Sequence, residues 1–170
     1  MTSHTAATEG RLTFQFHAPW EKADEHVPAG LKAVDFIVDT HEILYLVEVK
    51  DFENPQASVE NKKRDYKMLT DPEATFPLEI GMKVKDTLLK QYADSVSFDK
   101  PIKFLLLIKL AKLEPGERAT LYEWIRKYIP MGLKKFPNFT SIDFDLTSLS
   151  EMQEKYGFDV SVQDDGELLI

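Results

Sequence analysis

The chain has 170 residues, 43% of them hydrophobic and 29% charged, with a formal net charge of −8. That is enough apolar material for one domain with its own core, and the bulk charge argues against unspecific adhesion to nucleic acid. With no cysteine, disulfides, thiolate nucleophiles, iron–sulfur clusters and Cys-based zinc sites are excluded.

The acid is unevenly spread. Residues 150–170 hold Glu151, Glu154, Asp159, Asp164, Asp165 and Glu167 against Lys155, which is −5 of the −8. The remainder is close to neutral, which leaves room for a local basic groove. The start, "MTSHTAATEGR", has no basic flank followed by an apolar stretch, so no signal peptide is expected. Residues 1–10 read as a flexible polar tail before a single domain over 11–170. No apolar run approaches a membrane span, so no membrane contact and a cytoplasmic location are expected.

"RLTFQF" alternates Leu12, Phe14 and Phe16 on one face and reads as a short strand. "PWEKADEHV" opens on a proline suited to a first helical position, with Trp20, Ala23 and Val27 on one face, and predicts a short helix. Residues 33–39 and 43–51 are rich in Val, Ile, Phe and Tyr around a polar "DTHE", a β-hairpin signal. Residues 53–77, with three prolines and many charges, predict an exposed excursion with at most a helical turn. Residues 78–94 place Ile80, Val84, Leu88 and Leu89 at helical spacing.

"IKFLLLIKL", residues 102–110, is a continuous apolar run suited to a strand covered on both sides. "GERATLYEWIRKYIP" predicts a second long helix, and "TSIDFDLTS" another strand. A short helix and an edge strand at "DVSVQ" close the chain. The order, roughly α-β-β-α-β-α-β, predicts an α/β domain with a mixed central sheet flanked by helices.

The hairpin carries charges that a buried hairpin would not need. Strand alternation puts Asp35, Ile37 and Asp39 on one face, and Leu44, Leu46, Glu48 and Lys50 on one face of the next strand. A two-residue turn makes Glu48 the diagonal neighbour of Asp35; a four-residue turn pairs the two directly. A three-residue loop would break the parity unless a bulge restored it. In the first two registers Asp35, Glu48 and Lys50 share a face at the end far from the turn, and Asp39 is the poorer partner. Converging buried carboxylates must be paired, protonated or metal-bound. Two of them suit a hard cation such as Mg²⁺ or Mn²⁺. A cross-strand ion pair of purely structural value is the plain alternative.

"VDFIVDTHEILYLVEVKDF" resembles the core of the PD-(D/E)XK, or restriction-endonuclease-like, nuclease superfamily. Asp35 matches the superfamily's Asp, and Glu48, Val49 and Lys50 match its (Asp/Glu)-x-Lys; Val34 stands where a proline often precedes the Asp. The longer pattern "KADEH … KAVDF … LYLVEVKDF … KVKDTL" is similar to an uncharacterised bacterial branch. The resemblance covers about residues 20–92. It implies an α-β-β-β-α-β core and Mg²⁺- or Mn²⁺-dependent hydrolysis of phosphodiester bonds. Asp35, Glu48 and the Val49 carbonyl would hold the metal, and Lys50 would assist the attacking water. A fourth acid is expected among Glu21, Asp24 and Glu25, with Asp24 favoured.

Lys83, Asp86 and Lys90 share a helix face; Lys83 is expected near the substrate phosphate or the metal site, the alternative being a solvated face with ordinary salt bridges. "NKKRDYK" at 61–67 is an exposed loop that could touch a nucleic-acid backbone. The four histidines form no metal-ligand spacing, and no Gly-x-Ser-x-Gly, phosphate-binding glycine loop or His-Glu-x-x-His is present. The expected partner is nucleic acid, DNA ahead of RNA. The rival reading is a catalytically inactive interaction module on the same fold, with a protein partner in a defence or regulatory complex.

Overall fold

A computed structural model describes residues 6–163. It is a mixed α/β fold with a five-stranded mixed sheet and four α-helices among the described residues. Strands β1 (Ala7–Glu9) and β2 (Leu12–Gln15) form a tight hairpin. β3 (Trp20–Lys22), β4 (Phe36–Asp39) and β5 (Leu44–Asp51) follow, then helices α1 (Val59–Thr70) and α2 (Phe76–Ala93). β6 (Ile102–Lys109), α3 (Pro115–Arg126), a short 3-10 helix (Met131–Lys135), β7 (Ile142–Thr147), α4 (Leu149–Tyr156) and β8 (Asp159–Val162) complete the order.

The main sheet runs β3-β4-β5-β6-β7, antiparallel across its first two pairings and parallel across the last two. A smaller sheet, β1-β2-β8, stacks against one face. Each core cluster takes one parity of the central strands. Ile37, Leu46, Phe104 and Leu106 face α2 and α3, while Phe36, Val47, Leu105 and Leu107 face the small sheet and α4. With cover on both faces, β6 carries apolar side chains at successive positions rather than alternating ones.

The hairpin forms in the four-residue-turn register: Ile37 pairs with Leu46 and Phe36 with Val47. Continuing it by one residue sets Asp35 opposite Glu48. Thr40 closes the turn, its hydroxyl donating to the Ile43 carbonyl and accepting from the Ile43 N–H. α4 starts in a capping box between Ser148 and Glu151 and ends at Gly157 with φ 67°, the left-handed cap that glycine tolerates best. Gly81, mid-helix in α2, is needed for contact: a Cβ there would overlap the Tyr128 side chain.

Four expectations are corrected. "PWEKADEHV" is not a helix. Trp20, Glu21 and Lys22 pair with Val38, Ile37 and Phe36 as an edge strand, and the Ala23 N–H bonds the Asp35 carbonyl. Satisfying the outer edge of β4 outweighs a short helical periodicity. Within the expected tail, Ala7–Glu9 form β1 and Ala7 is fully buried, while residues 1–5 lie outside the described residues. The excursion at 53–77 contains the twelve-residue helix α1, capped by Ser58, so "NKKRDYK" is helical. Leu89, placed with the core face of α2, is 55% exposed.

Candidate metal centre

Asp35 lies at the entry to β4 and Glu48 in the middle of β5, both on the sheet face that α2 covers. The Val49 N–H donates to Asp35 Oδ2 at 2.7 Å, so the backbone of the Glu-x-Lys segment itself orients the aspartate. The start of β4 is in turn held by α2. The Val34 N–H donates to Thr87 Oγ1, whose hydroxyl donates to the Lys83 carbonyl. Thr87 is 1% exposed, so this link is dry.

Glu48 is wholly buried. Its Oε1 receives two ammonium groups, Lys50 Nζ at 2.6 Å and Lys83 Nζ at 2.7 Å, while Oε2 has no partner. Lys83 also stands 3.8 Å from Asp35 Oδ1. One cation therefore bridges both carboxylates, and the expected Asp35–Glu48–Lys50 grouping is present with Lys83 added to it. Burial, with the neighbouring Glu48 charge second, pushes the Asp35 carboxyl up to about 7, against the opposing pull of Lys83 and the Val49 N–H. Burial works against the charge of Lys83, but Glu48, Asp35 and Asp24 outweigh it, and its pKa is raised.

Of the three candidates for the fourth acid, Asp24 is the one beside the site. Carboxylate oxygens of Asp24, Asp35 and Glu9 all lie within 4.8 Å of one another. Glu21 turns to the helix layer and accepts from the buried Gln91 Nε2 at 3.0 Å. Glu25 is exposed and outside the cluster. Glu9, at the end of β1 and paired with Lys22 at 3.2 Å, was not foreseen. It arrives from the small sheet, and nothing local in the sequence marks it as a member of the site. Asp39, the poorer candidate, pairs with Lys100 near the hairpin turn. Asp86 accepts from the Lys32 N–H and Lys90 pairs with Asp94, so on that helix face only Lys83 joins the acids.

The donors are all oxygen: Asp35, Asp24 and Glu9 converge, and the unpartnered Glu48 atom, outside that group of three, belongs to the carboxylate that Lys83 bridges to Asp35. That suits a hard divalent cation and offers nothing to a soft one. Counting Lys22, Lys50 and Lys83 against the four acids leaves carboxylate in excess. Beyond Lys50 the sheet edge opens on a cleft of about 420 Å³ at the C-terminal ends of β6 and β7, lined in part by Ile108, Lys109, Arg118 and Thr147. Ile108 pairs with Lys50 in the sheet, so this cleft adjoins the acids without including them. Among the described residues no helix is long and apolar enough to cross a membrane. Compared with known proteins, the chain matches no family model, no curated protein and no solved structure.

Proposed function

We propose that the protein is a Mg²⁺- or Mn²⁺-dependent phosphodiesterase acting on nucleic acid, with a restriction-endonuclease-like core. The observation that carries this reading is the wholly buried Glu48 carboxylate with one oxygen left unpartnered, beside an Asp35 whose own ionisation is costly. The antiparallel β3-β4-β5 set, followed by α2 and the parallel β6, is compatible with that core. A helix preceding the first of these strands is lacking among the described residues, where the β1–β2 hairpin stands instead.

In this reading Asp35 and Glu48 hold the cation, with Asp24 and the Val49 carbonyl as further oxygens. A bound Mg²⁺ or Mn²⁺ would supply Lewis-acid activation of water and of the phosphodiester. Lys50, 30% exposed at the rim, orients the attacking water and offsets charge developing on the phosphorus-bound oxygens. Lys83 holds the two carboxylates in register and lies within reach of a substrate phosphate. The nucleic acid, DNA ahead of RNA, would approach from the Asp24–Lys50 side. The test is incubation of pure protein with DNA and RNA in Mg²⁺ or Mn²⁺, beside Lys50→Ala and Glu48→Gln. Metal-dependent cleavage lost in both variants supports the proposal; equal cleavage by all three proteins marks contamination and removes it.

One observation favours an inactive interaction module: Lys50 and Lys83 already converge on the same Glu48 oxygen, so the cluster is partly neutralised from within. Calorimetric titration with Mn²⁺ separates the readings, since the inactive module takes up no metal at millimolar concentration.

A further inference from the structure

Of the eight large apolar side chains exposed among the described residues, seven lie on α2 or on segments packed beside it. Four are on α2. Leu78, Met82, Leu89 and Tyr92, with the exposed Lys85 between them, recur at intervals of four, three, four and three residues. This is the seam spacing by which one helix packs on another. It lies away from the face that carries Lys83. Tyr128 flanks the seam through its contact with Gly81, and Phe136 walls an apolar groove of about 410 Å³ shared with Leu88, Leu89 and Tyr92. Val96 continues the face beside Tyr92.

The occupant follows from area, charge and self-complementarity. Leu89, Tyr92 and Phe136 are 55%, 58% and 60% exposed. Half-exposed side chains of this size leave about 100 Å² each, so the face offers roughly 700 Å² per copy. That approaches the ~800 Å² per partner of a standard interface and exceeds what monomers ordinarily leave uncovered. The seam carries a single charge, Lys85, whose stem can lie on an apolar neighbour while its ammonium reaches the rim. Under a two-fold axis, antiparallel pairing of two α2 helices about position 87 sets Met82 on Tyr92 of the second copy and Lys85 on its Leu89. Leu78 then points towards Val96 beyond the end of the other helix. Each seam residue thus meets an apolar one except Leu89, which meets the stem of Lys85, so the face is self-complementary as an isologous contact requires.

We propose that two copies of this chain associate through the outer face of α2 and the Tyr128–Phe136 segment. The inference is independent of the catalytic reading, since the acids lie on the inner side of α2. The test is sedimentation equilibrium of the full chain from 1 to 200 µM. The mass should move from 19.6 kDa towards twice that value. Raising NaCl from 50 to 500 mM should strengthen association, because salt screens the repulsion between two chains of net charge −8 and does not weaken an apolar contact. Met82→Glu and Phe136→Glu, both at exposed positions, should weaken association at least tenfold with unchanged circular dichroism, and Val59→Glu, off this face, should not. In this cysteine-free chain, a Lys85→Cys/Leu89→Cys double variant should cross-link on oxidation. A wild-type chain still monomeric at 200 µM overturns the proposal, as does a dimer indifferent to both glutamate substitutions.

Discussion

Asp35→Asn should stabilise the metal-free protein at alkaline pH. The folded-state pKa of Asp35 is raised from 3.8 to about 7. Relative to the unfolded chain, the group is therefore neutral at no cost below about pH 4 and increasingly unfavourable as pH rises through 7. Three pKa units correspond to about 4 kcal/mol once both states are ionised. At pH 5 the unfolded aspartate is already largely ionised and the folded one is not, which leaves under half of that penalty. Asparagine keeps an acceptor for the Val49 N–H and removes the ionisation, but gives up the Lys83 contact at 3.8 Å. The effect of the substitution should therefore shift by about 3 kcal/mol in its favour between pH 5 and pH 8.5. Urea unfolding in EDTA, followed by tryptophan fluorescence at both pH values, measures this. A pH-independent difference, or a variant less favoured at pH 8.5 than at pH 5, would mean that burial does not raise the Asp35 carboxyl.

Other substitutions test the scaffold. Gly81→Ala should cost about 2–3 kcal/mol in chemical unfolding, because its Cβ collides with Tyr128 and the interhelical contact must shift; an unchanged midpoint would show that the segment yields freely. Thr87→Val keeps the shape but leaves the Val34 N–H unpaired in a dry site, at about 1–3 kcal/mol. Hydrogen exchange at Val34 should accelerate with it, and an unchanged rate would remove Thr87 from the support of Asp35. Lys83→Ala takes a cation from two buried carboxylates; with Lys83 itself 23% exposed and partly screened, a loss of about 2 kcal/mol at pH 8 is expected in thermal melts, shrinking at pH 5 as Asp35 protonates. A loss that grows towards pH 5 would contradict the bridging role.

The hairpin was legible because side-chain alternation is insensitive to small uncertainties in the turn. Both even-length turns place Asp35, Glu48 and Lys50 on one face, and the Thr40–Ile43 turn selected the direct pairing. The long runs at 78–94 and 102–110 were legible for the same reason, being strongly periodic or continuously apolar. The short segment at Trp20 was not. Three residues of edge strand carry less local signal than a proline followed by helix formers, and only the unpaired edge of β4 decides between them. Helix α1 was obscured by the prolines at either end, which in fact flank it; its mean composition is polar because only Leu69 is buried. Glu9 reaches the site by packing of the small sheet on the large one, a contact with no local trace. Leu89 showed the opposite limit: helical spacing does not say which stripe faces the core when α2 carries two apolar stripes.

Whether Asp35 and the unpartnered Glu48 oxygen hold a divalent cation is read from Mn²⁺ titration of the wild-type chain and Glu48→Gln, followed by calorimetry and by the loss of free-Mn²⁺ electron resonance signal. Saturable uptake of Mn²⁺ by the wild type at sub-millimolar to millimolar concentration is expected, weakened at least tenfold in Glu48→Gln. No uptake by the wild type, or equal uptake by both proteins, would mean that these two groups do not hold the cation.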